Sequence, residues 1–204
     1  MQASWYSFLA MTDSRRIRNR VDSAPAGTFF RPGDFAGSSS AIETALSRLT
    51  SGGVLRRVGR GLYWKGVRSK FGSGTPDNLD VAMRLAGSKG VGPTGWTASH
   101  LLGLTTQVPP TAELTVAGRH APKAPSGIHF HTRSNLNRLN LRFHEIALLE
   151  VLRDWPVRTD RDWSTLADTV EALSREKLVD MSRIKRSLNG EPPKVKRLVS
   201  SLAA

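Results

Sequence analysis

Three arginines flank a glycine-punctuated turn near the start of the chain, Arg56, Arg57 and Arg60 in the run Val54-Leu55-Arg56-Arg57-Val58-Gly59-Arg60-Gly61. Guanidinium groups just before and within a tight turn are suited to gripping phosphate oxygens or entering a minor groove. Each phosphate they neutralise steepens the salt dependence of binding. A second set precedes them: Ser38, Ser39, Ser40, Thr44 and Arg48. Hydroxyls can serve bases or phosphates, and an arginine can make a paired contact to guanine. Each residue also has a plainer use: the serines as helix caps, Arg48 as a solvated charge, the hairpin arginines as edge-strand charges that discourage aggregation. The order of the two sets along the chain favours the duplex-reading interpretation.

Catalytic chemistry finds less support. His129-x-His131 would put two imidazoles on one face of a strand, but the chain has no cysteine and offers no carboxylate at ligand spacing, so no metal is expected. Asp77 and Asp80 sit three apart at the start of a helix, where acidic residues favour the helix dipole without holding a cation. No nucleophile elbow, phosphate loop, zincin helix or dinucleotide-binding glycine pattern occurs. Trp96, Trp155 and Trp163 read as core or interface anchors. The expectation is a protein with no catalytic residues and no cofactor. The rival enzyme reading would need metal- or nucleotide-dependent turnover that is lost on Asp77→Ala or His131→Ala.

The charge points to a polyanionic partner. The 204 residues carry 30 Lys and Arg against 17 Asp and Glu, a net +13. Residues 1–70 hold 12 basic and 4 acidic residues and the remainder 18 and 13, so the excess concentrates in the first third. The absence of cysteine excludes a disulfide-stapled fold. The apolar start, Trp5 to Met11, is far short of the roughly 20 residues of a membrane span. A cytoplasmic protein without membrane association is expected, with Met11 as an alternative start and residues 1–13 as an N-terminal extension.

The elements that must position these residues follow from periodicity. Ile17 and Val21 give one face of a short helix from Ser14, whose arginines 15, 16, 18 and 20 fill the others. Thr28 to Phe30 is extended, and Pro32 opens a very short helix to Ala36 anchored by Phe35. Ser40-x-x-Glu43 predicts a capping box for a third helix with Ile42, Ala45, Leu46 and Leu49 inward, ended by Gly52-Gly53. Val54–Val58 and Leu62–Lys65 then form a hairpin. This succession predicts a winged helix-turn-helix over residues 14–70, the third helix reading the major groove. Gly72-Ser73-Gly74 reads as a linker to a second domain, residues 71–204. There the pattern predicts a helix through Ala86 with Leu79, Ala82 and Met83 inward, a helix from Gly95 to Leu104, and paired strands Glu113–Val116 and Ile128–Thr132. Helices follow at His144–Arg153, Asp162–Ser174, Arg175–Leu188 and beyond Pro193. The fold class is α+β, a winged helix-turn-helix followed by a mixed, mostly helical domain with a small β-sheet.

Two stretches then carry a resemblance. Ala41 to Trp64, ending Gly-x-Leu-x-Arg-Val-x-Arg-Gly-Leu-Tyr from Gly53 to Tyr63, resembles the N-terminal winged helix of the AbiEi family of type IV antitoxins. Pro93-Thr94-Gly95 through Ala98, with Leu101 to Pro109, resembles that family's second-domain signature, and Glu191 to Leu198 its terminal helix. The resemblance implies a toxin-antitoxin operon in which this chain counters a nucleotidyltransferase-like toxin and represses its own promoter at inverted repeats. The winged helix would handle double-stranded DNA and the second domain would carry antitoxicity. Direct contact with the toxin stays open. The basic C-terminal residues Arg183, Lys185, Arg186, Lys194, Lys196 and Arg197 offer either a second contact surface or a solvated helix face. The alternative is a plain transcriptional regulator of the same fold, whose second domain senses a ligand or dimerises and which has no toxin partner.

Overall fold

Ile17 and Val21 are both withdrawn from solvent, and they belong to a longer helix than the sequence periodicity assigned. In the computed structural model, which describes residues 2–69 and 72–202, α1 runs from Gln2 to Ser23 without a break at Ser14. The chain divides into two units, Met1–Asp77 and Asn78–Ala204.

In the first unit α1 is followed by β1 (Phe29–Phe30), a 3-10 turn (Pro32–Asp34), α2 (Ser39–Ser51), β2 (Arg56–Gly59) and β3 (Leu62–Trp64). β1 pairs antiparallel with β3, and β3 with β2, giving the order β1-β3-β2. The apolar residues expected inward on α2 are buried, together with Phe30, Phe35 and Leu55, in one cluster that also takes Ile17 and Val21. The cap of α2 differs from expectation. Ser38, not Ser40, accepts the Ala41 amide at 3.3 Å, so the cap lies two residues earlier than expected and leaves Glu43 exposed and out of capping position. The segment read as a linker is also ordered otherwise: β4 (Arg68–Ser69) and β5 (Gly72–Ser73) pair as a small antiparallel ribbon.

The second unit begins with α3 (Asn78–Ala86), in which Val81 and Ala82 are buried and Met83 is exposed. The inward stripe is thus rotated from the one the sequence suggested. Next come β6 (Val91–Pro93), α4 (Gly95–Leu101), β7 (Ala112–Ala117) and β8 (Ile128–Arg133). β6 was not anticipated, since its Val91-Gly92-Pro93 sequence carries no strand alternation. Gly92 explains it: a Cβ there would lie 2.6 Å from Ile146, so only glycine lets this strand approach the helix that covers it. The strands predicted to pair do so, and in parallel, from Ala112↔Ile128 to Ala117↔Arg133. β6 joins antiparallel on the other side of β7.

A 3-10 helix (Leu136–Asn140) leads to α5 (Phe143–Asp154), α6 (Trp163–Arg175), α7 (Met181–Ser187) and α8 (Pro193–Leu202). α5 is buried from Glu145 to Leu152 and lies at the centre of this unit's core, with Leu104, Leu166, Val170, Ile184, Val195 and Val199 around it. The helix expected from Arg175 is interrupted. Lys177 takes φ +60°, and Asp180 restarts the chain as α7 by accepting the Ser182 and Arg183 amides at 2.9 and 3.1 Å. The architecture is mixed α+β. Among the described residues no helix is long and apolar enough to cross a membrane.

Candidate nucleic-acid interface

The outer side of α2 is a strip of short polar side chains. Ser40, Thr44 and Ser47 recur at helical spacing on one face and are exposed, as are Ser38 and Ser39 before them. Arg48 flanks this strip on the side of α1. There it lines a cleft of about 500 Å³ together with Ser14, Arg15, Arg18, Ala45 and Leu49. Arg48 therefore stands with the arginines of the first helix, about 12 Å along the axis from Ser40 at 1.5 Å per residue. Arg18 is itself paired with Asp22 at 3.4 Å. Among the described residues Arg48 has no carboxylate partner.

β2 carries Arg56 and Arg57 exposed, and Arg60 is exposed in the turn that follows. The ladder slips between Arg57 and Gly59, where Arg57 faces Tyr63 and Gly59 faces Leu62. Gly61 takes φ +63°, which closes the turn without a Cβ penalty. Arg57 Nε donates to the Gly59 carbonyl at 3.4 Å, which leans its side chain toward the turn. The hairpin is fastened to the first helix from below. Lys65, just after β3, donates from Nζ to the Val21, Asp22 and Ala24 carbonyls at 2.8, 2.8 and 2.6 Å. The Val21 and Asp22 carbonyls belong to the last turn of α1, which leaves its carbonyls without i+4 helical partners, and Ala24 follows the helix directly. Arg20 stands 5.4 Å over the Phe35 ring and also donates to the Asp34 carbonyl. That contact ties the 3-10 turn to the same helix.

The basic residues of the C-terminal helices divide into two groups. Arg183 is half-buried and bound to Glu145 at 2.9 Å and Asp180 at 3.5 Å, so it is a structural cation rather than a free one. Lys194 donates to the Arg153 and Trp155 carbonyls at 3.2 and 2.7 Å. Lys185, Arg186, Lys196 and Arg197 are exposed on α7 and α8.

The sequence reading passed over a buried ionic network in the second unit. Arg138, with no exposed side-chain surface, reaches Glu191 at 2.6 and 2.9 Å and Glu150 at 2.6 Å. Arg133 Nε donates to Glu150 at 3.0 Å, Thr94 Oγ1 to Glu150 at 2.6 Å, and Arg153 to Glu191 at 2.7 Å. Burial pushes the Glu150 carboxyl up. The Arg133 hydrogen bonds, the charges of Arg138 and Arg133 and the Thr94 hydroxyl more than offset this and hold it at about 2. Glu191 is likewise lowered: burial is outweighed by the Arg138 hydrogen bonds and charge, Asn135 and Arg153. The sequence did contain a signal for this network, because Glu150 stands inside the otherwise apolar run Ile146–Leu152 and a buried glutamate requires cationic partners. The histidines also gain a neighbour that linear spacing concealed. Parallel pairing of β7 and β8 brings Glu113 to 3.1 Å from His131 Nε2, so a carboxylate does stand beside that imidazole. Among the described residues no group of three His, Cys, Asp or Glu side chains is placed to hold a metal ion.

The fold and this site define a mixed α+β protein whose N-terminal helix-and-hairpin unit presents arginines and hydroxyls on one helix and one turn. The chain belongs to the family of unknown function DUF6088, whose profile matches residues 16–122, from α1 to the loop after β7. In fold it is similar to the crystal structure of the Rv2827c protein from Mycobacterium tuberculosis. The TM-score is 0.50 and the identity 15%, over 93% of this chain and 75% of that one. Among curated proteins none matches the sequence.

Proposed function

We propose that residues 14–70 act as a winged helix-turn-helix that docks α2 in the major groove of duplex DNA, with the β2–β3 turn as its wing. The chain as a whole would serve as the antitoxin and autorepressor of a type IV toxin-antitoxin operon. The observation that carries the DNA reading is the exposed strip Ser40, Thr44 and Ser47 beside Arg48. Small side chains let a helix backbone approach base edges closely, and the arginines at its flank and in the hairpin supply phosphate contacts. The strand order, in which the short first strand pairs with the last, is the one a winged helix uses. The excess positive charge of the first third supports the same reading. The antitoxin role rests on the resemblance of residues 41–64, 93–109 and 191–198 to the AbiEi family. That role requires a nucleotidyltransferase-like toxin encoded in the adjacent gene.

Two measurements test the reading. The full chain should bind a duplex carrying its own upstream region more tightly than a scrambled duplex of equal length, and Arg48→Ala with Arg57→Ala should abolish promoter binding. Co-expression of the full chain should relieve growth arrest caused by the adjacent gene product, and the double variant should still relieve it. Promoter binding without growth rescue would leave a plain transcriptional regulator. Equal affinity for both duplexes would overturn the DNA reading.

A further inference from the structure

The 3-10 helix Leu136–Asn140 has its polarity reversed. Arg138 points inward and is 0% exposed, while Leu136 and Leu139 are 59% and 43% exposed. Residues three apart eclipse one another in a 3-10 helix, so the two leucines stand side by side on the outer face. The reversal is built in rather than loose. Arg138 is held by two carboxylates, and the Asn135 side chain accepts the Asn137 amide at 3.0 Å and donates to the Ser187 carbonyl and Glu191 at 3.1 and 2.8 Å. Asn137 donates to the Asn189 carbonyl at 3.0 Å. Burying an arginine costs desolvation that its ion pairs at best repay. The same turn, rotated to bury its leucines, would avoid both that cost and the exposed apolar pair. The two leucines thus form an apolar pair on the surface whose position is fixed by the buried side of the turn, so seating a partner there costs little ordering.

The surroundings specify what docks. A Cβ on Gly90 would lie 3.0 Å from Leu139 and 2.8 Å from Ala117, so Leu139 adjoins the place where β6 begins and β7 ends. Lys89 precedes that glycine, and Arg119 and His120 follow the end of β7; all three are exposed. Residues 84–142 contain one acidic residue, Glu113, and it is committed to His131. The chain segments that form this face therefore combine an apolar pair with cations and contribute no carboxylate besides Glu113. A nucleic acid would use the cations and gain nothing from the leucines. A second copy would oppose positive charge with positive charge.

We propose that this face binds an acidic protein segment that seats an apolar side chain against Leu136 and Leu139 while its carboxylates meet Lys89 and Arg119. The interaction is separate from DNA docking by the first unit.

The test uses the full chain and a random dodecapeptide library displayed on phage. Selection should enrich peptides that combine Asp or Glu with Leu, Ile or Phe. A selected peptide should bind Leu136→Glu/Leu139→Glu and Arg119→Glu at least about tenfold more weakly than the parent chain. Both leucines are exposed, so the variants should keep the parent circular dichroism and melting temperature; Leu136→Ser/Leu139→Ser provides a milder pair giving the same loss. The proposal is overturned if no peptide is enriched, if the enriched peptides lack acidic residues, or if they bind the variants as well as the parent. It is equally overturned if the leucine variants lose affinity for duplex DNA, or if they convert a self-associating parent into a monomer.

Discussion

The Lys65 ammonium sits 2.8 Å from the Val21 carbonyl and satisfies two further carbonyls at the end of α1. One side chain thereby terminates the first helix and anchors the strand that leads out of the hairpin. Replacing it by methionine keeps the alkyl stem and removes all three donors. Lys65→Met should destabilise the first unit by about 1–3 kcal/mol, the cost of leaving part-buried carbonyls unpaired and a helix C-terminus without its cation. Urea titration followed by circular dichroism measures this.

In the second unit the corresponding fastening is Arg138, and its removal should be more severe. Arg138→Met leaves Glu150 and Glu191 buried with less compensating charge, a change that costs about 3–5 kcal/mol. Glu191→Gln keeps one hydrogen-bond acceptor and should cost less. Comparison of the two by denaturant unfolding of the full chain separates loss of charge from loss of shape; equal losses would contradict the account.

The same network sets an acid limit. Glu150 is held at about 2, against an ordinary 4.5. Above pH 4.5 the carboxyl is ionised in both folded and unfolded chains, and its stabilisation is fully present. Between pH 4.5 and 2 the unfolded chain takes up a proton that the folded chain refuses, so stability falls through that window. The loss should reach about 3 kcal/mol at its lower end, and it should vanish in Glu150→Gln, whose melting temperature is lower throughout but less pH-dependent.

How far these relationships could be read from sequence depended on their range. The inward face of α2 was legible because Ile42, Ala45, Leu46 and Leu49 repeat at helical spacing, and every one is buried. The hairpin was legible from its glycines. The α2 cap was not, because Ser38, Ser39 and Ser40 are equivalent locally and the choice among them is set by where the preceding turn delivers the chain. β6 was hidden because Gly92 serves close packing against Ile146, which is a tertiary constraint. The rotation of α3 has the same origin, since Val81 and Met83 differ little in hydrophobicity and the sheet beneath decides between them. At the candidate interface the residue types were readable but not their grouping: only the packing of α1 on α2 places Arg48 with Arg15 and Arg18. Glu113 reaches His131 through strand register, which no linear spacing reveals.

That grouping divides the interface into parts that should respond differently to salt and to sequence. Arg56, Arg57 and Arg60 are exposed at a turn, where they suit phosphate contacts, and each contact contributes about 0.9 to the slope of log affinity against log salt concentration. Replacing all three by alanine should weaken binding to promoter and scrambled duplexes alike and reduce the slope by up to about 3. Thr44 lies on the strip facing away from the core and carries no charge. Thr44→Ala should leave the slope unchanged while narrowing the difference between the two duplexes by about 1 kcal/mol. Fluorescence anisotropy across a salt series resolves both effects. A slope that falls with Thr44→Ala, or a preference that is lost selectively with the hairpin arginines, would mean that the helix and the turn have exchanged the roles assigned to them.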